Sequence, residues 1–198
     1  MTTRPSHPRI YLASASPQRR KLLKIAGVRF SVRPSPVTEA TKITTTCSAL
    51  VTHNALIKAR HLADRLKEGI IIGADTVVYA GGKKLIGKPR NLKHAKQILK
   101  TLFSHPQWVY TGVAVIDAKT KRTIIDYEKT KIYMHKLSDE EIDRYHGITS
   151  PLDKAGGFDI EGRGGLFINR IEGCYSNVIG LPMAKLRVML KQFGVSIL

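Results

Sequence analysis

A chain of 198 residues with 42% hydrophobic and 7% aromatic side chains can bury a proper core, and it has no run of about 18 apolar residues able to cross a membrane as a helix. Its 33 Lys and Arg against 15 Asp and Glu give a formal net charge of +18, which attracts polyanions, phosphate-bearing small molecules among them. The basic residues are scattered without a long block or a nucleic-acid-binding motif, so direct DNA or RNA binding is disfavoured as the main function. Cys47 and Cys174 lie far apart without CxxC spacing, and Met1 to Arg9 is followed by no apolar stretch with a cleavage site. These features predict one cytoplasmic domain over residues 1–198, with 1–9 as a disordered tail.

Ile10-Tyr11-Leu12-Ala13 reads as a strand, and Ser14-Ala15-Ser16-Pro17 turns it into a helix reaching about Ala26. Ser16 suits the N-cap and Pro17 the first helical position, with Leu22, Leu23, Ile25 and Ala26 as the buried stripe before Gly27. A helix start placed directly after a strand favours an anion. Arg19 and Arg20 in the first turn oppose the helix dipole, so a bound anion between them is expected, against the alternative of two solvated arginines. Phe30 to Arg33 forms a second strand, and the Pro- and Thr-rich segment from Pro34 to Thr46 carries one acid, Glu39, either solvated or a cation ligand. A helix from Ser48 to Leu66 has Val51, Ala55, Ala59, Leu62 and Leu66 on one stripe, and Lys58 at its edge either snorkels or reaches a cleft.

The run Ile70-Ile71-Ile72-Gly73-Ala74-Asp75-Thr76-Val77-Val78 is apolar on both faces, as in a strand buried on two sides, yet holds a carboxylate in its middle. An unpaired buried carboxylate is costly, so Asp75 is expected where the strand opens into a cleft and meets a cation; the competing reading is a turn cap. A Gly81-Gly82 turn leads to Leu85-Ile86-Gly87-Lys88-Pro89, where Gly and Pro could hold the Lys88 ammonium against a phosphate. Asn91 caps a helix with Ala95, Ile98, Leu99 and Leu102 inside. Trp108 to Asp117 and Arg122 to Met134 read as two antiparallel strands, and Ser138-Asp139-Glu140-Glu141 as a capping box opening a helix that ends near Gly147. The glycine-dense stretch from Ser150 to Gly165 contains Leu152, Ala155, Phe158 and Ile160, which predict a packed loop lining a site; Pro182 starts a last helix.

Taken in order, Ser14-Ala15-Ser16-Pro17-Gln18-Arg19, Glu39, Lys58, Gly73-Ala74-Asp75-Thr76-Val77-Val78, Gly87-Lys88-Pro89, Asp153-Lys154-Ala155-Gly156 and the run Gly173 to Pro182 resemble the Maf family of nucleoside triphosphate pyrophosphatases. The resemblance implies a two-lobed α/β fold with a mixed central sheet flanked by helices around a cleft, a homodimer, and hydrolysis of a nucleoside triphosphate to monophosphate and pyrophosphate with Mg²⁺ or Mn²⁺. It implies that Ser14, Arg19, Lys58 and Lys88 bind phosphate, that Asp75 is the catalytic carboxylate, and that Glu39 and Asp75 place the metal. Gln18, Thr76 and Glu161 occupy the positions that set substrate choice. Thr76 and the Asp153 to Gly156 run match the dTTP/UTP type; Gln18, where that type carries Arg, and Glu161, where it carries Gln, match a 7-methyl-GTP type. A carboxylate only accepts hydrogen bonds and suits the N–H edge of guanine, whereas Gln donates and accepts at uracil or thymine. The dTTP/UTP reading is favoured, with the 7-methyl-GTP enzyme and a basic nucleic-acid-binding or regulatory module without turnover as alternatives.

Overall fold

The computed structural model describes residues 8–42, 46–80, 85–152 and 154–197; the Gly81-Gly82 turn, Asp153 and residues 1–7 of the expected tail lie outside the described residues. Strand β1 (Ile10–Leu12) leads to α1 (Pro17–Ile25), β2 (Phe30–Val32) and α2 (Cys47–Ala63), followed by β3 (Ile70–Tyr79), β4 (Leu85–Ile86) and α3 (Leu92–Ser104). The long pair β5 (Gln107–Asp117) and β6 (Thr123–Met134) precedes α4 (Asp139–Ile148), two 3₁₀ turns (Ala155–Gly157 and Arg163–Phe167), β7 (Ile168–Glu172), α5 (Tyr175–Ile179) and α6 (Met183–Lys191). The anticipated caps form: Ser16, Asn91 and Ser138 each accept a backbone N–H of the first turn, and Ser138 with Glu141 closes the capping box. Sequence periodicity missed β7 and α5, both five residues long.

The strands make one mixed sheet in the order β2-β1-β3-β5-β6-β7, with β4 also on β3. Strand β1 runs parallel to β2 and β3, and the remaining pairs are antiparallel. All of β3 is paired on its β5 side, from Ile70 opposite Asp117 to Tyr79 opposite Trp108. Its other edge is interrupted. Strand β1 reaches only to Ile72, whose carbonyl takes the Ala13 N–H at 2.8 Å, and β4 pairs from Val78 onward. Between them Gly73 to Val77, about 16 Å of strand, has no neighbouring strand on this edge among the described residues. This notch brings together the end of β1, the start of α1 and the loop after β4.

Alternation along β3 sends Ile71 and Asp75 to the face covered by α2, and Ile72, Ala74 and Val78 to the other. On that second face two separate clusters give the fold its two lobes. One gathers Leu12, Ile72, Val113 and the inner sides of α1 and α6; the other gathers Val78, Ile98, Leu99, Ile132, Ile142 and Phe167 under α3 and α4. Opposite them, α2 lies close on the sheet because β3 and β5 present Gly73 and Gly112. A β-carbon on Gly112 would overlap the Val51 carbonyl, and one on Gly73 the Ala55 carbonyl, both backbone atoms of α2. Gly112 pairs directly with Asp75, so its bare backbone lets α2 sit over the carboxylate.

Two outcomes follow. Gly112→Ala must lift α2 and should cost about 1–3 kcal/mol in urea unfolding, with loss of whatever chemistry α2 supports. His146 on α4 is buried, and burial holds its imidazole below the ordinary value against the opposing Gly157 backbone hydrogen bond and Asp143 charge, with Lys96 acting in the same sense as burial. The unfolded chain therefore binds the extra proton first, so stability is full above about pH 6.5 and falls as pH drops from there toward the lower folded value. Unfolding free energies measured at pH 7.5 and 5.5 should show this loss, and His146→Gln should reduce it.

Candidate active site

Asp75 is 6% exposed, and its neighbours come from α2. Oδ1 accepts from Lys58 Nζ at 2.9 Å and Oδ2 from Asn54 Nδ2 at 2.9 Å. The turn-cap reading of Asp75 thereby fails, and the expected cation is Lys58. The same ammonium meets Glu39 Oε1 at 2.8 Å and the Ala74 carbonyl at 3.3 Å, so its three N–H groups are divided among two carboxylates and a peptide oxygen at the notch. Glu39, with its side chain 47% exposed, forms the open side of the cluster, while the Lys58 and Asp75 side chains are each 8% exposed.

Arg19 enters the notch from the other face. Its Nε donates to the Gly180 carbonyl at 2.8 Å, Nη1 to Ser14 Oγ and the Ala74 carbonyl at 3.0 Å each, and Nη2 to Thr76 Oγ1 at 2.9 Å. Burial pulls the guanidinium below its ordinary value, opposed by the charges of Asp75 and Glu39. The carbonyl oxygens of Gly180 and Ala74 accept from this cation at the helix start. One Nη2 hydrogen is left to point elsewhere. Arg20 does not share this position: it donates to the Ala15 carbonyl at 2.8 Å. Arg19 and Lys58 both bond the Ala74 carbonyl, one from each face of the sheet, and so frame the unpaired edge of β3 beside Asp75.

The remaining candidates are spread around this centre. Ser14 is buried, its hydroxyl accepting from Arg19 and from the Ser16 N–H at 3.3 Å. Thr76 is held by Arg19, by Thr111 Oγ1 at 3.0 Å and by the Gly180 carbonyl at 3.4 Å. Gln18 takes the Ser16 hydroxyl at 3.1 Å. Glu161 pairs with Lys21 at 3.0 Å, one turn along α1 from Gln18, so these two candidate specificity residues lie on the same side of α1. Lys88 is exposed on the loop after β4, across the notch from β1. That loop is braced by the Gly156 N–H, which donates to the Gly87 carbonyl at 3.2 Å, so the glycine-dense segment packs as expected.

Asn54 was missed by sequence reading. It is a polar residue four positions before Lys58, inside the apolar stripe of α2, and that break in the stripe was its available signal.

For a divalent ion the donor chemistry fits. Glu39 and Asp75 supply hard carboxylate oxygens held within reach of one ammonium, and a small hard cation such as Mg²⁺ is commonly bound by one or two carboxylates with substrate phosphates completing its shell. Among the described residues no group of three or more His, Cys, Asp or Glu is assembled as a self-sufficient metal cage.

The site is thus a notch in a mixed α/β sheet, with buried cations from two helices beside a carboxylate pair. Residues 9–193 match the family model described as Maf-like protein, and the chain belongs to the Maf family. It is 42% identical over 189 residues to a dTTP/UTP pyrophosphatase of Pelotomaculum thermopropionicum, covering 96% of this chain and 98% of that protein. Similar relatives of the same name come from Alkaliphilus oremlandii, 45% identical over 191 residues with coverage of 94% and 97%, and Bacillus anthracis, 42% over 189 residues with 96% and 97%. The fold resembles that of the Staphylococcus aureus Ham1 protein with TM-score 0.54 at 13% identity, covering 93% of this chain and 99% of that one.

Removing the shared ammonium should expose its importance. Lys58→Met leaves two carboxylates facing each other, one of them buried, and should lower unfolding free energy by about 3 kcal/mol at pH 7. Adding Asp75→Asn to that variant should recover part of the loss in the same denaturant titration.

Proposed function

We propose that this protein is a nucleoside triphosphate pyrophosphatase acting on dTTP and UTP, releasing the nucleoside monophosphate and pyrophosphate. The observation that carries the reading is the Asp75–Lys58–Glu39 cluster at the notch, with Arg19 on the opposite face. In this reading the triphosphate lies along the unpartnered edge of β3, between Ser14 and the start of α1 on one bank and Lys88 on the other. Lys88 and the remaining Nη2 hydrogen of Arg19 contact phosphate oxygens. Asp75 orients the attacking water: each of its oxygens has a further lone pair beyond those taken by Lys58 and Asn54. Water adds its oxygen at the α-phosphorus, the bond from that phosphorus to the α–β bridging oxygen breaks, the bridging oxygen leaves with pyrophosphate, and the water's proton passes toward Asp75. Glu39 and Asp75 would hold Mg²⁺ or Mn²⁺, which supplies charge neutralisation at the phosphates.

The names of the relatives favour the pyrimidine substrates. Glu161, the residue that argues for 7-methylguanine, has its carboxylate engaged by Lys21 at 3.0 Å, which weakens its case as the acceptor for a cationic base. The two free thiols, the absence from the described residues of a helix long and apolar enough to cross a membrane, and the family resemblance support a cytoplasmic enzyme. A homodimer is the assembly that the family resemblance supports.

Pyrophosphate release from dTTP, UTP, CTP, GTP and 7-methyl-GTP with Mg²⁺ or Mn²⁺ tests the reading. The expected result is turnover of dTTP and UTP, lost by a factor of about 10² or more in a folded Asp75→Asn protein. Faster turnover of 7-methyl-GTP, with Glu161→Gln shifting the preference to pyrimidines, would reverse the substrate assignment. Salt-sensitive nucleic-acid binding with no hydrolysis of any triphosphate would replace the enzyme reading altogether.

A further inference from the structure

Residues 33–42, which carry Glu39 to the site, form no helix or strand of their own. What ties it down next to Glu39 is one side chain. Asn54, 1% exposed on α2, accepts the Ala40 N–H on Oδ1 at 2.9 Å and donates Nδ2 to the Ala40 carbonyl at 2.9 Å. The other hydrogen of the same amide goes to Asp75 Oδ2 at 2.9 Å. Only this orientation of the carboxamide satisfies all three partners, because the oxygen must face the single donor and the nitrogen the two acceptors.

We infer that Asn54 is a positioning residue that clamps the Glu39 loop to Asp75 and so sets the spacing of the two carboxylates. It touches neither substrate nor metal in this role. The backbone of residue 40 and the side chain of residue 75 are both read by one rigid planar amide, so Glu39, the adjacent residue, cannot swing away without breaking a pair of partly buried hydrogen bonds. Lys58 alone would not fix this arrangement. An ammonium is a rotatable point charge that follows either acid over a range of positions, whereas a carboxamide bonded to both groups of one peptide fixes orientation. A further consequence concerns Asp75: holding Oδ2 turns the carboxylate so that its oxygens are inequivalent, Oδ1 toward Lys58 and Glu39, Oδ2 toward the interior of α2.

The inference rests on the enzyme reading only for its effect on turnover; the clamp itself is testable without substrate. Asn54→Leu keeps the volume and removes all three hydrogen bonds, and Asn54→Asp keeps an acceptor for the Ala40 N–H while removing both donors. Hydrogen exchange of residues 34–42, read on variants whose melting shows a folded protein, should be at least 10-fold faster at Ala40 in Asn54→Leu and faster than wild type in Asn54→Asp. Mn²⁺ titration without nucleotide should give an affinity about 10-fold weaker in Asn54→Leu. For dTTP, kcat should fall about 10-fold with KM changed less than 2-fold, and Glu39→Gln added to Asn54→Leu should cost little more, because both changes remove the same positioned group. Unchanged Ala40 exchange in either folded variant would overturn the inference, as would full additivity of the two substitutions. If no triphosphate is hydrolysed, the exchange and Mn²⁺ measurements still decide it.

Discussion

The structure depends on a single ammonium held between two acids. Asp75 sits in the middle of β3, where both faces of the sheet are covered and an unpaired carboxylate would cost several kcal/mol. Lys58 resolves this from α2, at 2.9 Å from Asp75 and 2.8 Å from Glu39. The solution places demands elsewhere. For Lys58 to reach β3 along its buried stem, α2 must lie almost on the sheet, and that proximity requires Gly73 and Gly112 beneath it. The glycines of β3 and β5 are therefore tied to the acid's position, since one of them is its direct cross-strand partner.

The second constraint is the interruption of the sheet. A continuous strand beside Ala74 to Val77 would have taken the peptide groups that here face the notch, and would have left no entry to Asp75. Because β1 is three residues long and β4 two, the edge between them stays open, and the Ala74 carbonyl is reached by Arg19 from one face and Lys58 from the other. The two lobes meet along a polar seam on the far face. Arg19, Thr76, Thr111, Asn177 and Thr130 are linked there by hydrogen bonds through the Gly180 and Asn177 carbonyls, which positions α5 and its glycine against the arginine. A purely apolar junction would have packed the lobes together but removed the Thr76 hydroxyl from the acceptors of Arg19.

Much of this was legible in the chain. The apolar run with one embedded carboxylate marked the central strand, and Ser16-Pro17, Asn91 and Ser138 to Glu141 marked helix starts by their capping chemistry. The paired cation could be anticipated because burial of Asp75 demands one, although periodicity alone left Lys58 between a snorkelling and a cleft-facing role. Three things were not legible. The protein acceptors of Arg19 are one: the carbonyls of Ala74 and Gly180 lie 55 and 161 residues away and carry no side-chain signature. Strand β7 and helix α5 are too short to display a period. Asn54 is a polar residue on an apolar stripe, and its partners are a backbone peptide and an acid from two other elements, which only the fold brings together.

The charge balance at the notch explains why groups beyond the buried set are needed for a phosphate chain. Asp75 and Glu39 contribute two negative charges, Lys58 and Arg19 two positive ones, and each cation is already directed at protein oxygens. This set is neutral as it stands, with one Nη2 hydrogen of Arg19 uncommitted. A triphosphate brings several negative charges, and beyond that one hydrogen the buried cations can turn to it only by releasing acceptors they hold. The additional positive charge has to arrive at the open side, where Glu39 is half exposed and Lys88 stands on the opposite bank. Carboxylates that share one ammonium can accept a divalent ion and free that ammonium for phosphate in the same event, so in the proposed function the ion and the nucleotide would be coupled through Lys58. The general +18 charge of the surface adds long-range attraction but, being screened over about 10 Å at 0.1 M salt, cannot replace this local exchange.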